Sequence, residues 1–191
     1  KPNLDYIIDR FNNLKNIKSM KNIFIDHFGK ENLKFKIINI EHHFSHISSA
    51  FHLSGFESSS VLSIDGFGDF VSTMYGLANK NHFKIKKTVY FPHSLGIFYT
   101  AITQHLGFPN YGDEYKLMGL SSYGKDTQKE KIYELFEDTS HDFKLNLKYF
   151  NHIDRKFNLD FYDNTPIIGN LFRDNIEKIL GPKREKKEEI T

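Results

Sequence analysis

The sequence predicts an α/β fold, on three observations. Apolar residues recur at three- and four-residue spacing in several segments, as on one face of a helix. Other short runs are β-branched or alternate in polarity, as strands do. Gly, Asn, Asp and Pro separate the two kinds of segment. A length of 191 residues suits one domain or two small lobes, and 39% apolar content is enough to fill a core.

Taken in order, Leu4 to Leu14 reads as a helix, with Leu4, Ile7, Ile8, Phe11 and Leu14 on one side. A weaker amphipathic segment runs through Ile23, Ile25 and Phe28 and stops at Gly29. Phe35 to Ile40 reads as a short buried strand, leading straight into a helix from Glu41 to Leu53 that ends before Gly55. Ser60 to Ile64, Phe70 to Ala78 and Phe83 to Phe91 are expected to form an antiparallel meander. Its turns fall at Gly66 to Asp69 and at Asn79 to Asn81.

Ser94 is a candidate N-cap for a helix whose buried stripe is Leu95, Phe98, Ile102 and Leu106, ended by Gly107. Turn residues from Pro109 to Asp113 precede a short helix, Glu114 to Leu120. A helix over Asp126 to Asp138, a strand over Phe143 to Phe150 and a last helix within Thr165 to Leu180 complete the pattern.

Composition excludes several functions. Without cysteine there are no disulfides, thiolate metal sites or Cys nucleophiles, and a reducing compartment fits. Twenty-six basic and 24 acidic residues are mixed along the chain, so nucleic acid is an unlikely partner. No apolar run has the length of a membrane span and no signal peptide is visible, which makes a cytoplasmic location the expectation. The chain begins with Lys1 and stops in a charged run after Gly181-Pro182, so a fragment of a longer protein is expected.

Glu41-His42-His43-Phe44-Ser45-His46 carries the strongest chemical signal. Residues four apart on a helix sit roughly 6 Å apart on one face, so His42 and His46 can aim at one divalent ion. His43 lies about 100° round the helix and needs another role. The bland alternative is a surface pair. A predicted strand before the pair, and Asp65 or Asp69 leaving the next strand, favour metal; imidazole with carboxylate suits iron, manganese or zinc.

In Asp65-Gly66-Phe67-Gly68-Asp69, glycines at alternate positions let the backbone approach an anion, so Gly66 and Gly68 are candidate phosphate contacts. An ordinary hairpin turn explains the same residues. Pro92-His93-Ser94, opening a helix, offers free N–H groups that His93 could join in an anion site, although simple N-capping with an exposed His93 explains the same residues and is the favoured reading. Lys116 could reach a phosphate or acceptor, although Lys beside Glu114 is usually a solvated ion pair.

Four blocks, His42 to Phe51, Val61 to Asp69, Phe91 to Tyr99 and Gly112 to Leu120 with Tyr123-Gly124, resemble the carbamoyltransferases of nodulation-factor and antibiotic O-carbamoylation. Gly181-Pro182 is similar to that family's linker, so 1–180 is expected to be a partial N-terminal catalytic domain and 181–191 a charged linker. The resemblance implies a lobe of the actin-like/sugar-kinase (ribonuclease H-like) superfamily, with a mixed sheet and flanking helices. It further implies ATP-dependent transfer of a carbamoyl group from carbamoyl-adenylate to a hydroxyl of a small-molecule or glycan acceptor. The adenylate comes from carbamoyl phosphate and ATP in a separate C-terminal domain.

The family's metal pair falls on His42 and His46, with Asp65 in the acidic turn as third ligand and iron the favoured metal. A tyrosine that helps hold metal in tRNA-modifying relatives is replaced at the comparable position by Ser63. His43 and Asp69 are the candidates to take the acceptor's proton. The family's nucleotide-facing hairpin, the second half of the catalytic fold and the adenylate-forming domain are missing, so little or no turnover is expected of this chain alone. A tRNA threonylcarbamoyl transferase and a non-catalytic nucleotide-binding module are the alternatives.

Overall fold

The computed structural model describes residues 15, 20–30, 36–138, 142–153, 160–162, 165–185 and 188. The backbone divides into two units, Lys1–Ile40 and Glu41–Thr191. The helix expected over Leu4 to Leu14 lies outside the described residues.

In the first unit, α1 (Met20–Phe28) ends as expected at Gly29, whose φ of 78° reverses the chain. It buries no residue; Phe24 and Phe28 stack at 6.0 Å. Residues 36–40 are not the expected buried strand. They pair with nothing among the described residues, and Ile38 and Ile40 are exposed. A β-branched run becomes a strand only where a neighbour takes its N–H and C=O groups. The histidines therefore do not follow the carboxyl end of a strand, although the sequence predicts one there.

The second unit opens with α2 (His42–Ser54). Glu41 is its N-cap: the carboxylate accepts the N–H groups of His43 at 3.1 Å and Phe44 at 2.6 Å. Gly55, at φ 75°, closes the helix where the sequence expects it. β1 (Ser58–Gly68), β2 (Val71–Asn79) and β3 (His82–Tyr90) form the expected antiparallel meander in the order β1-β2-β3.

The first turn differs from expectation. It is the two-residue loop Asp69-Phe70, both at positive φ, so Gly66 and Gly68 lie inside β1. Positive φ at both central residues is the signature of a type I′ hairpin, whose twist matches the flanking strands. The cost appears as a register shift between Ile64 and Gly68. Ile47 and Phe51 of α2 pack on Val61, Val71, Met74 and Ala78, forming a first core edged by Phe83 and Ile85.

α3 (Leu95–His105) starts at Ser94, whose hydroxyl accepts the Ile97 N–H at 3.1 Å. Its buried residues are Ile97, Ala101, Thr103, Gln104 and His105. The expected stripe of Leu95, Phe98, Ile102 and Leu106 is only half-buried, because neighbours cover α3 on more than one side. α4 (Glu114–Leu120) follows as expected. The expected helix over Asp126 to Asp138 shortens to α5 (Lys129–Tyr133), since Phe136–Glu137 leaves as β4 to pair with β5 (Lys144–Leu145).

The expected strand over Phe143 to Phe150 likewise breaks into β5, a 3-10 turn at Leu147–Tyr149 and a single bridge from Phe150 to Phe172. β6 (Asp160–Tyr162) and β7 (Thr165–Ile167) pair antiparallel. The last expected helix reduces to a 3-10 turn at Asp174–Ile176 and α6 (Glu177–Leu180).

These pieces enclose a second core: Ile97, Ala101, Leu135, Leu145, Tyr149, Phe150, Leu171, Phe172 and Ile176. Every strand pair among the described residues is antiparallel, so the fold is mixed α/β without the expected mixed sheet. Within the terminal run, Arg184 is bonded to the end of α3. Its backbone N–H bonds the His105 carbonyl and its guanidinium the Leu106 carbonyl, both at 3.0 Å, capping the end of α3.

Candidate metal centre

The first turn of α2 meets the end of β1. His42 Nε2 lies 2.9 Å from Asp65 Oδ2 and 3.0 Å from His46 Nε2, and His46 Nε2 is 3.9 Å from Asp65 Oδ2. These three ligand atoms are all within 4.8 Å of one another. Donors held at about 2.1 Å from one cation sit roughly 3.0–3.4 Å apart in octahedral or tetrahedral geometry. Two sides of the triangle are close to that spacing and the His46–Asp65 side, at 3.9 Å, is longer. The donor set of two imidazoles and a carboxylate suits a divalent transition metal.

The three side chains are 39%, 55% and 44% exposed, which leaves the centre open to a substrate or further ligands. Asp65 is held in shape by the Gly66 N–H, which donates to its Oδ1 at 2.6 Å. Partial burial opposes its charge, but the hydrogen bonds from His42 and Gly66 outweigh that and keep the carboxyl below its ordinary range.

The two glycines play different parts. A Cβ on Gly68 would sit 2.0 Å from His42 Cδ2, so the missing side chain is what lets the His42 ring lie over β1. That face of Gly68 is covered. Gly66 has nothing within 4 Å of where its Cβ would be, so its Cα face is uncovered, although its N–H and carbonyl are held by Asp65 and Ser94. Asp69 is exposed beside this cluster and accepts the His42 N–H at 3.1 Å, adding a second acidic cap to α2.

His43 goes elsewhere. It is fully buried, with Nδ1 2.8 Å from Ser63 Oγ and Nε2 2.9 Å from the Val71 carbonyl. Ser63, the position compared with a metal-holding tyrosine, is committed to that contact, and Asp65 stands with the imidazole pair. Lys116 pairs at 2.5 Å with Asp113, a buried carboxylate one helical turn earlier, rather than with Glu114. Glu114 instead accepts from the Thr100 hydroxyl at 2.6 Å.

At Pro92-His93-Ser94 the capping alternative is seen at Ser94, but the His93 ring is not the exposed one that alternative expects. His93 is half-buried and accepts the Leu145 N–H at 3.1 Å. Ser94 Oγ contacts the carbonyls of Gly66 at 2.7 Å and Asp65 at 3.1 Å, while Gly96 packs against the same peptide. The sequence shows Ser94 as a cap but not this second task, and Glu41 as a cap escaped notice although an acidic residue before a helix is the usual signal.

The described residues form a mixed α/β fold in which histidines on the first turn of a helix stand above an antiparallel meander. The chain belongs to the carbamoyltransferase N-terminus family, whose model matches residues 7–177. It is similar to the nodulation protein NolNO of Sinorhizobium fredii, 37% identical over 117 residues, which are 61% of this chain and 17% of that one. It is also similar to the nodulation protein NolO of Bradyrhizobium diazoefficiens, 40% identical over 99 residues, 51% of this chain and 18% of that one. The uncharacterized protein sll1178 of Synechocystis is 40% identical over 114 residues, 59% of this chain and 18% of that protein. The chain thus spans less than a fifth of the length of these relatives. Among the described residues no helix is long and apolar enough to cross a membrane.

Proposed function

We propose that this chain is the N-terminal catalytic part of an ATP-dependent O-carbamoyltransferase. The convergence of His42, His46 and Asp65, in a chain of this family, is the observation that carries the reading. The reaction passes a carbamoyl group from carbamoyl-adenylate, made from carbamoyl phosphate and ATP, to a hydroxyl of a small-molecule or glycan acceptor. A downstream domain of the full-length protein supplies the adenylate, and the fold is a lobe of the actin-like superfamily. The absence of cysteine accords with a cytoplasmic location.

In this reading His42, His46 and Asp65 hold a divalent metal, iron being favoured by the family resemblance. Such an ion supplies Lewis acidity toward oxygen atoms. The protein's own groups do the rest. Asp69, exposed beside the centre, takes the acceptor's hydroxyl proton as the C–O bond to the carbamoyl carbon forms and the bond to the AMP phosphate oxygen breaks. Gly66 presents its uncovered Cα face to the adenylate phosphate. His43 takes no proton here, because it is buried away from this surface.

The test uses the full-length protein with carbamoyl phosphate, ATP and a hydroxylated acceptor. His42→Ala/His46→Ala is expected to lower turnover at least about 100-fold and to strip the metal. Asp69→Asn is expected to lower kcat by about 10²–10⁴ with metal content unchanged. Undiminished turnover in the double variant overturns the metal role.

A further inference from the structure

His43 is the second residue of α2, and it turns inward where His42 and His46 turn outward. Its ring lies between two strands, with Ser63 Oγ of β1 at Nδ1 and the Val71 carbonyl of β2 at Nε2. A carbonyl oxygen only accepts, so Nε2 carries the ring hydrogen and Nδ1 accepts from the Ser63 hydroxyl. Both nitrogens are used, and neither is left to exchange a proton with a substrate.

Each attachment point adjoins the metal centre. His43 follows His42, Ser63 stands two residues before Asp65, and Val71 stands two residues after Asp69. Val71 also sits where strand pairing is irregular. The β1–β2 register shifts between Ile64 and Gly68, and the β2–β3 register between Val71 and Thr73. Such irregularities take carbonyls out of the ladder and re-aim them, which suits one that must meet a side chain from the helix above.

We infer that His43 is a positioning residue, whose two hydrogen bonds fix the first turn of α2 against β1 and β2 and so set the spacing of His42, His46 and Asp65. The inference rests on the metal reading of that triad. Replacing the ring by an apolar group of similar size leaves a buried hydroxyl and a buried carbonyl without partners. Groups that hold metal ligands in place from behind commonly change metal affinity 10–100-fold when removed.

The test uses the 191-residue chain and cobalt(II), followed by its d–d absorption well below the thermal midpoint of each variant. His43→Leu is expected to weaken cobalt binding by roughly 10–100-fold. His43→Gln, whose amide can donate to the Val71 carbonyl, is expected to recover most of the loss. Ser63→Ala, a small change that keeps the fold if His43→Leu does not, is expected to fall between them. Cobalt binding as tight as the parent's in all three variants overturns the inference. So does an equal loss in the Leu and Gln variants, which is the mark of packing alone.

A second arm needs no metal. Long-range proton–nitrogen NMR of the metal-free chain is expected to show the His43 hydrogen on Nε2, and Ser63→Ala is expected to shift the ring signals of His42 and His46. A hydrogen on Nδ1, or unmoved His42 and His46 signals, overturns the inference. A parent chain that binds no cobalt removes the metal reading instead, and this arm then decides the role of His43.

Discussion

The two cores of the Glu41–Thr191 unit are built in opposite ways. The first joins one helix to a meander that follows it directly, and its buried imidazole, His43, has a partner on each ring nitrogen. The second gathers Ile97, Leu135, Phe150 and Phe172 from distant parts of the chain, through strands of two residues and 3-10 turns. It also buries His105 and His152, 3% and 2% exposed, each with Nδ1 lacking a partner among the described residues. The contrast lies in the imidazoles: the one in the first core is satisfied on both nitrogens, whereas those of the second leave an acceptor unpaired. It does not extend to every polar group, since Thr73 Oγ1 of β2 is buried without a partner among the described residues too, and Gln104 beside the second core is bonded at both ends of its amide.

The sharpest way to break this contrast is Phe150→Ala, a truncation at a fully buried side chain of the second core. It is expected to cost about 3–5 kcal/mol in urea denaturation. A cost below about 1 kcal/mol would mean that the second core is not packed as described. Next comes Gly68→Ala, at the end of β1 beside the first core. The new methyl meets the His42 ring, so cobalt affinity is expected to fall at least about 10-fold and stability by about 1–3 kcal/mol, while Gly66→Ala keeps cobalt binding. Equal behaviour of the two glycine variants would remove the distinction drawn between them.

Acid should separate the regions as well. Burial, above all, pushes His93, His105 and His152 below the ordinary histidine value. The unfolded chain therefore takes up protons first, so stability is complete above about pH 6.5 and declines as pH falls through that value. Asp65 and Asp113 are shifted down as well, and their contribution is present above about pH 3.9 and lost only further down. Between pH 7 and 5 the decline in urea midpoint belongs to the histidines, and a His105→Gln/His152→Gln chain is expected to show a flatter profile. An unchanged slope would place the acid sensitivity elsewhere. The smallest effect is Ser94→Ala, expected to cost about 1 kcal/mol for the lost helix cap, read by thermal denaturation.

The first core and the site were largely legible because their signals are local. His42 and His46 are one helical turn apart, Gly55 ends the helix, and alternation marks the meander. The turn was misplaced because Asp-Gly is the usual hairpin signal, whereas here Asp69-Phe70 accepts an uncommon backbone and the glycine is spent on the His42 ring. His43 read as reactive because its sequence neighbours are; only the positions of Ser63 and Val71 reveal its other use. The second core was poorly legible. Phe136 and Phe143 to Phe150 are apolar enough for either a helix or a strand, and a pairing such as Phe150 with Phe172 leaves no periodic trace.

Gly96 joins the two regions. A methyl there would lie 2.6 Å from the Gly66 nitrogen and 2.7 Å from the Asp65 carbonyl oxygen, so α3 and β1 touch backbone to backbone. Nothing compressible lies between them, and the Ser94 hydroxyl bolts the same peptide from the side. A helix seated this way acts as a stiff lever: any push that tilts it must carry the Asp65 main chain with it. Loosening the far core should then blur the carboxylate's aim, although no atom of the triad has been altered.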